Sequence, residues 1–329
     1  MEAKTLHMQH TLRELLEQNL IENHDAERIQ ALEQQRPFSL HWELKTLLYL
    51  GVILLNIGLG YLIYQNINHI GHVALITLIG GLCAICMAYS IRYRRPFSPG
   101  ETESPTPYYD YILLLGCLLF LVLEGYVQYQ YNLFGTRYGL ATFIPMVLFF
   151  GLAYWLDNRG VLSLGITALA SWVGITVAPQ EILSKNDFNS GAIVYTGVAL
   201  GAFLTIVPFL SERLNFKKHF SLTYLNFGVH IGMISCLAGM MALDREILFF
   251  PLLCMAVGFF LWYARTRGSF YFLTVAVIYG YIGFTYLLVN HTASWDFDFM
   301  FYLLYFFLSC AGVIYFLIHY KRFIKNKQP

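Results

Sequence analysis

Apolar residues gather into ten long runs, at about 46 to 64, 70 to 91, 111 to 129, 138 to 156, 161 to 178, 191 to 210, 221 to 243, 247 to 264, 269 to 290 and 299 to 319. Each is close to the roughly 20 residues that a helix needs to cross the hydrocarbon core of a bilayer. Within that core every backbone N–H and C=O must be satisfied inside the segment, which favours helices over any open structure. The pattern therefore predicts an all-α, polytopic integral membrane protein with about ten transmembrane helices in a bundle over residues 45 to 320. The longest polar break, Pro96 to Pro107, contains Ser98, Pro99, Gly100, Ser104 and Pro105 and reads as a flexible loop.

Residues 1 to 44 follow a different pattern. Thr11-Leu12-Arg13-Glu14 is a capping-box start, and Leu12, Leu15, Leu16 and Leu20 then recur at helical spacing. After Asn19 to Asn23 a second helix carries Ala26, Ile29 and Leu32 and stops before Pro37. This predicts a short amphipathic helical hairpin that buries too little surface to be stable alone. Either it packs on the membrane-proximal loops, on a second copy or on a protein partner through residues 11 to 35, or it is a solvated lead-in to the first span.

Composition agrees with the pattern: 57% of the 329 residues are hydrophobic and 12% are charged, about half the charged share of soluble domains. The net charge of +1 gives no basic surface for nucleic acid. The distribution of charge says more. With ten spans, eighteen of the twenty-one Lys and Arg residues fall on one side, leaving Arg137, Lys185 and Arg245 on the other. By the positive-inside rule this places both termini in the cytoplasm, with residues 321 to 329 as a basic cytoplasmic tail. One helix more or fewer would reverse every later loop and destroy the asymmetry. The polar lead-in is too long for the n-region of a signal peptide, so no cleavage is expected.

The ends of the first and third spans echo each other, Gly60-Tyr61-Leu62-Ile63-Tyr64-Gln65 against Gly125-Tyr126-Val127-Gln128-Tyr129-Gln130. This suggests a repeated helical hairpin, first with second and third with fourth. Three segments carry a family resemblance. They are Glu14-Leu15-Leu16-Glu17-Gln18-Asn19-Leu20-Ile21 with Ala26-Glu27-Arg28-Ile29; Leu48-Tyr49-Leu50-Gly51-Val52-Ile53 running to Gln65-Asn66; and Gln128-Tyr129-Gln130-Tyr131-Asn132-Leu133-Phe134-Gly135, followed by Pro145 and Trp155. In these, roughly the first half of the chain resembles a family of bacterial membrane proteins called domain of unknown function 2157. The Trp that commonly follows Asn at the end of that family's first helix is missing here. The resemblance implies a bacterial inner-membrane protein and brings no activity with it.

Glu124 is the one acid inside a predicted span, and no Lys or Arg lies inside any. A charged group near the bilayer centre costs on the order of 3 kcal/mol, which makes an intramembrane acid a functional candidate by default. Gln128 and Tyr131 follow Glu124 at one-turn intervals on the same face. Glu124, Gln128, Tyr126 and Asn56 together form the candidate intramembrane polar site. The alternative is a carboxylate held by Tyr hydroxyls of neighbouring helices. Asn56, Asn226 and His230 are read as helix-to-helix hydrogen-bonding groups, and Gly197 with Gly201 and Gly228 with Gly232 as small-residue packing seams.

Six cysteines lie within apolar runs, unlike a disulfide framework, and read as small buried hydrophobes. Cys83 and Cys86 have redox spacing without a second ligand pair. His69, His72, His291, Asp296 and Asp298 share the predicted outer side at loose spacing, so no metal or cofactor is expected. Phosphate-loop, zinc-protease and serine-hydrolase motifs are absent, and no loop is long enough for a catalytic domain, so no enzymatic activity is expected. Two functions stay open: transport or binding of a small solute or lipid through the bundle, and a non-catalytic scaffold or sensor that recruits a partner through the N-terminal hairpin.

Overall fold

A computed structural model describes residues 41–135, 137–178, 190–292 and 299–319. The hairpin expected in residues 1 to 44 lies outside the described residues as far as residue 40. The basic tail, Lys185, Asp296 and Asp298 lie outside them too. Among the described residues the regular structure is all helical: α1 (His41–Ile70), α2 (His72–Arg92), α3 (Tyr109–Tyr131), α4 (Leu140–Leu156), α5 (Arg159–Val177), α6 (Gly191–Arg213), α7 (Ser221–Met241), α8 (Glu246–Arg267), α9 (Phe270–Thr292) and α10 (Phe299–Ile318), with a 3-10 turn at Lys218–Phe220.

Each apolar run falls on one of these helices. Seven are long and apolar enough to cross a membrane: α2, α3, α5, α6, α7 with its preceding turn, α8 and α9. The apolar stretches Thr46–Tyr61, Leu140–Leu156 and Met300–Phe316 are shorter. α4 is cut to 17 residues, about 25 Å at 1.5 Å per residue. It opens after the turn at Gly139 and is closed by Asp157, a C-cap in the left-handed region.

The chain divides into two compact units, Met1–Ile57 and Gly58–Pro329. The described part of the first is a helical stretch with exposed Leu47, Leu50, Ile53, Leu54 and Leu55. In it Asn56 donates its side-chain amide to the carbonyl of Val52, at 2.8 Å. A polar side chain in an apolar helix satisfies itself in this way when no other partner is near.

In the second unit the closest helix pairs are α2 with α3, α4 with α5, α6 with α7 and α8 with α9. Their neighbours α7 with α8 also pack closely, whereas α3 touches α4 lightly. The sequence echo suggests α3 with α4 as a hairpin, and that contact is the light one. The two echoing ends also differ locally. α1 continues through the expected polar turn to Ile70 and breaks only at Gly71, whose φ of +80° suits glycine. α3 instead stops at Tyr131, with Asn132 left-handed.

Three apolar cores hold this unit. One joins α2 and α3 around Leu75, Ile79, Cys83, Leu119 and Tyr126. A second gathers α3, α4 and α5 around Leu113, Phe149, Leu162 and Ile166, and takes in Leu204, Phe220 and Tyr224. The third joins α6 through α9 around Val229, Met233, Phe249, Leu253 and Phe272. The α6–α7 pair therefore belongs to two cores at once.

That pair is set by its glycines. A Cβ built on Gly201 would overlap the backbone of Gly232, and one on Gly228 would lie 3.0 Å from the backbone nitrogen of Thr205 and 3.1 Å from the carbonyl oxygen of Gly201. Only hydrogens fit between the two backbones, as expected of small-residue seams in membranes. We expect Gly201→Ala to lower stability by about 1–3 kcal/mol through overpacking. Gly258→Ala, where a new methyl meets nothing within 4 Å, should be neutral or slightly stabilising. Thermal unfolding of the two detergent-solubilised variants checks the contrast.

Candidate functional site

Three of the four residues singled out from the sequence, Glu124, Tyr126 and Gln128, lie on α3. Tyr126 is buried in the α2–α3 core, where its hydroxyl meets Nδ1 of His72 at 2.7 Å. Two residues apart on a helix place Glu124 on roughly the opposite side of α3 from Tyr126. Gln128 closes the end of α3: its Oε1 accepts from the backbone N–H of Phe134 at 2.9 Å and its Nε2 donates to Asn132 at 3.3 Å. Gln128 thus orders the loop that follows α3. Asn56 belongs to the first unit, and its Oδ1 is buried without a hydrogen-bond partner among the described residues. Glu124 is half-buried, and its Oε1 is likewise buried and unpartnered among the described residues. Among the described residues no Tyr hydroxyl reaches that oxygen.

His230 is tied as expected, to Tyr279 at 2.9 Å and Tyr271 at 2.8 Å, and Tyr271 in turn donates to Asn226. Cys83 donates to the carbonyl of Gly116 at 3.4 Å, and Cys117 and Cys236 are buried with it. Cys254 departs from the expectation, being exposed on α8. Among the described residues no group of three or more His, Cys, Asp and Glu is placed to hold a metal ion.

The strongest concentration of buried charge lies elsewhere, where the α2–α3, α4–α5 and α6–α7 connections meet. Asp157 ends α4 at φ 59° and Lys217 precedes the 3-10 turn at φ 49°. The left-handed region costs an ordinary L-residue roughly 1–2 kcal/mol. The side chains of Lys217 and Asp157 are 1% and 4% exposed and pair at 2.8 Å. Oδ1 of Asp157 also receives Nε2 of His219 at 2.6 Å. Because an ionised carboxylate only accepts, that ring nitrogen carries the proton. Oδ2 accepts from the backbone N–H of Thr102 at 2.6 Å and from its hydroxyl at 2.7 Å. Four donors fill the acceptor sites of one carboxylate.

The loop after α2 is fastened to the same group. The N–H of Lys217 donates to the carbonyl of Pro99 at 2.7 Å, and its ammonium lies 3.5 Å from the carbonyl of Gly100 and over the ring of Phe97. A second carboxylate, Asp110, accepts from Ser104 at 2.6 Å and from the side-chain amide of Asn158 at 2.9 Å. Asn158 also caps α5, accepting from the N–H of Val161. Arg94 stacks over Trp155 at the rim. The cleft between these loops, lined by Arg95, Ser98, Thr102, Asp110, Trp155 and Lys217, is a narrow space of about 20 Å³. That admits a water molecule and falls far short of the roughly 300 Å³ of a metabolite pocket.

This cluster was not legible from the sequence. Asp157 stands in a short break between two apolar runs, and Lys217 reads as one more basic loop residue. The one available signal is the Asp157-Asn158 pair, a helix stop joined to an N-cap.

The class of protein is a helical bundle with multiple membrane-length apolar helices. Residues 13–162 match the model of a family described as "Predicted membrane protein (DUF2157)", in agreement with the resemblance read from the first half of the chain. The match takes in Thr102, Asp110, Asp157 and Asn158, whereas Lys217 and His219 lie beyond it. No curated protein and no solved structure matches the chain.

Burial by itself pushes the Asp157 carboxyl up, but hydrogen bonds from Lys217 and Thr102 and the neighbouring His219 outweigh it and hold it below the usual carboxylate range. A carboxyl with a depressed folded-state pKa contributes stability in full above its unfolded value, about 3.9. That contribution disappears as pH falls through the lower folded value. Asp157→Asn should cost about 3 kcal/mol or more at neutral pH, because it leaves a buried ammonium without a counter-charge. The wild type should lose this advantage on acidification below about pH 4. The gap between the unfolding midpoints of the two proteins should therefore be constant from pH 7 to about pH 5 and narrow as the pH falls below about 4.

Proposed function

We propose that the chain is a multi-pass protein of the bacterial inner membrane, with ten spans and both termini cytoplasmic, that binds or passes a small solute or lipid within its helix bundle and catalyses no reaction. The reading rests on Glu124. A buried carboxylate oxygen without a donor is costly in an apolar surrounding, and an intramembrane acid is ordinarily retained for a ligand or proton path. No part is assigned to Gln128 or Tyr126, and Asn56, whose oxygen also lacks a partner among the described residues, belongs to the other unit. The orientation is supported by the eighteen-to-three division of Lys and Arg. The second reading, a scaffold recruiting a protein through residues 11 to 35, is favoured by the leucine stripe Leu12, Leu15, Leu16 and Leu20.

Native mass spectrometry of the protein released gently from its own membrane separates the two. We expect a bound small molecule or lipid in the wild type that is lost in Glu124→Gln and kept when residues 1 to 36 are deleted. A co-purifying protein lost only with the deletion would establish the scaffold instead. Equal adducts in wild type and Glu124→Gln would remove Glu124 from any ligand site. Reporter fusions at both termini and within the loop 96–107 should all report the cytoplasmic side.

A further inference from the structure

One carboxylate gathers three interhelical connections. Asp157, between α4 and α5, binds Thr102 of the α2–α3 loop and Lys217 and His219 of the α6–α7 loop. These connections sit at a boundary between helix groups. Leu204, Phe220 and Tyr224 join the core of α3 to α5, while Leu225, Val229 and Met233, on the same helix pair, join the core of α8 and α9. Along the boundary α5 packs only lightly on α6 and α7. Near the carboxylate it is closed by Tyr154, whose hydroxyl meets that of Tyr224 at 2.9 Å and whose ring stacks on Phe216.

We propose that the Asp157–Lys217–His219 cluster is a latch: it holds α2–α5 to α6–α9 at this end of the bundle and opens while both groups stay folded. Four observations distinguish a latch from a permanent staple. The tie is polar, and the α2–α3 core and the α6–α9 core each lie wholly on one side of the boundary, so breaking the tie leaves those two cores whole. Both ion-pair partners sit at positive φ, and opening lets those residues relax. The cleft beside the tie has room for a water molecule, which can replace the protein donors as they separate. Finally, the loop from Pro96 to Pro107 carries no helix, and its grip on Lys217 runs through the carbonyls of Pro99 and Gly100. The latch is independent of Glu124 and of whether a solute is carried.

The test is amide hydrogen exchange of the full-length protein in lipid nanodiscs. The backbone N–H of Thr102 and of Lys217 donate across the closed tie, so they report its opening. In the wild type we expect peptides over 97–108 and 214–219 to exchange together and well ahead of the buried parts of α3, α5, α7 and α8. In the double variant Asp157→Asn, Lys217→Met, which leaves no buried charge unpaired, those two loops should exchange at least tenfold faster, with the helices unchanged. Loops as slow as the helices in the wild type would overturn the proposal. So would a folded double variant whose loops remain protected. A double variant in which loops and helices lose protection together would make the cluster part of one cooperative core and equally refute a latch.

Discussion

A buried ammonium fixes the layout of this end of the bundle. Lys217 is 1% exposed, and a charge so far from water is tolerable only beside a counter-charge whose remaining lone pairs are also satisfied. Asp157 supplies that charge, and its two oxygens then need donors of their own. They find them in His219 and Thr102, on two different connections. The demand of one charge pair thus decides where three loops lie. It also explains why two residues with ordinary side chains occupy the left-handed region: at those positions the side chain matters more than backbone comfort, and glycine would relieve the strain by removing the ion pair.

Apolar helices in lipid gain little from hiding apolar surface on one another, since the lipid is as apolar as they are. Their arrangement has to come from close packing and polar ties. Both are present, at different places along the same hairpin. Gly201, Gly228 and Gly232 bring the backbones of α6 and α7 nearly into contact, which makes this pair a rigid unit. Its loop end is held by Asp157 through Lys217 and His219. The two devices act on different joints, for the glycines hold α6 to α7 and the carboxylate holds that pair to α4 and to the α2–α3 loop. Tyr154 backs the second device with aromatic contacts to Phe216 and Phe220.

The positions of the described helices were legible in the sequence because apolar helices are written in long runs of one residue class, a signal that survives errors of several residues. The seam was legible for a similar reason, since spacing of small residues by four is a local pattern. Pairing was not: the resemblance between 60–65 and 125–130 suggested hairpins that begin with α1 and α3, whereas α2 packs on α3 and α4 on α5. Side-chain roles were less legible still. Gln128 lies one turn from Glu124 in sequence, yet a left-handed Asn132 turns the chain so that Gln128 captures the N–H of Phe134 instead. The Asp157 cluster joins residues 55 to 62 positions apart, and nothing local marks a loop lysine as buried.

The two acids Asp157 and Glu124 show what separates an architectural carboxylate from one with spare capacity. Asp157 is surrounded by four donors, so a ligand could reach it only by displacing protein groups, and its chemistry is used up in holding loops together. Glu124 has an oxygen that no described residue satisfies, on a helix with a core of its own on the Tyr126 side. That core and the Gln128 loop closure fix the end of α3 without help from the acid. An acid with an unsatisfied oxygen in an apolar helix has capacity left for a further donor. The same reasoning turns attention away from the more conspicuous ion-pair cluster, whose four satisfied bonds account for its presence without any ligand.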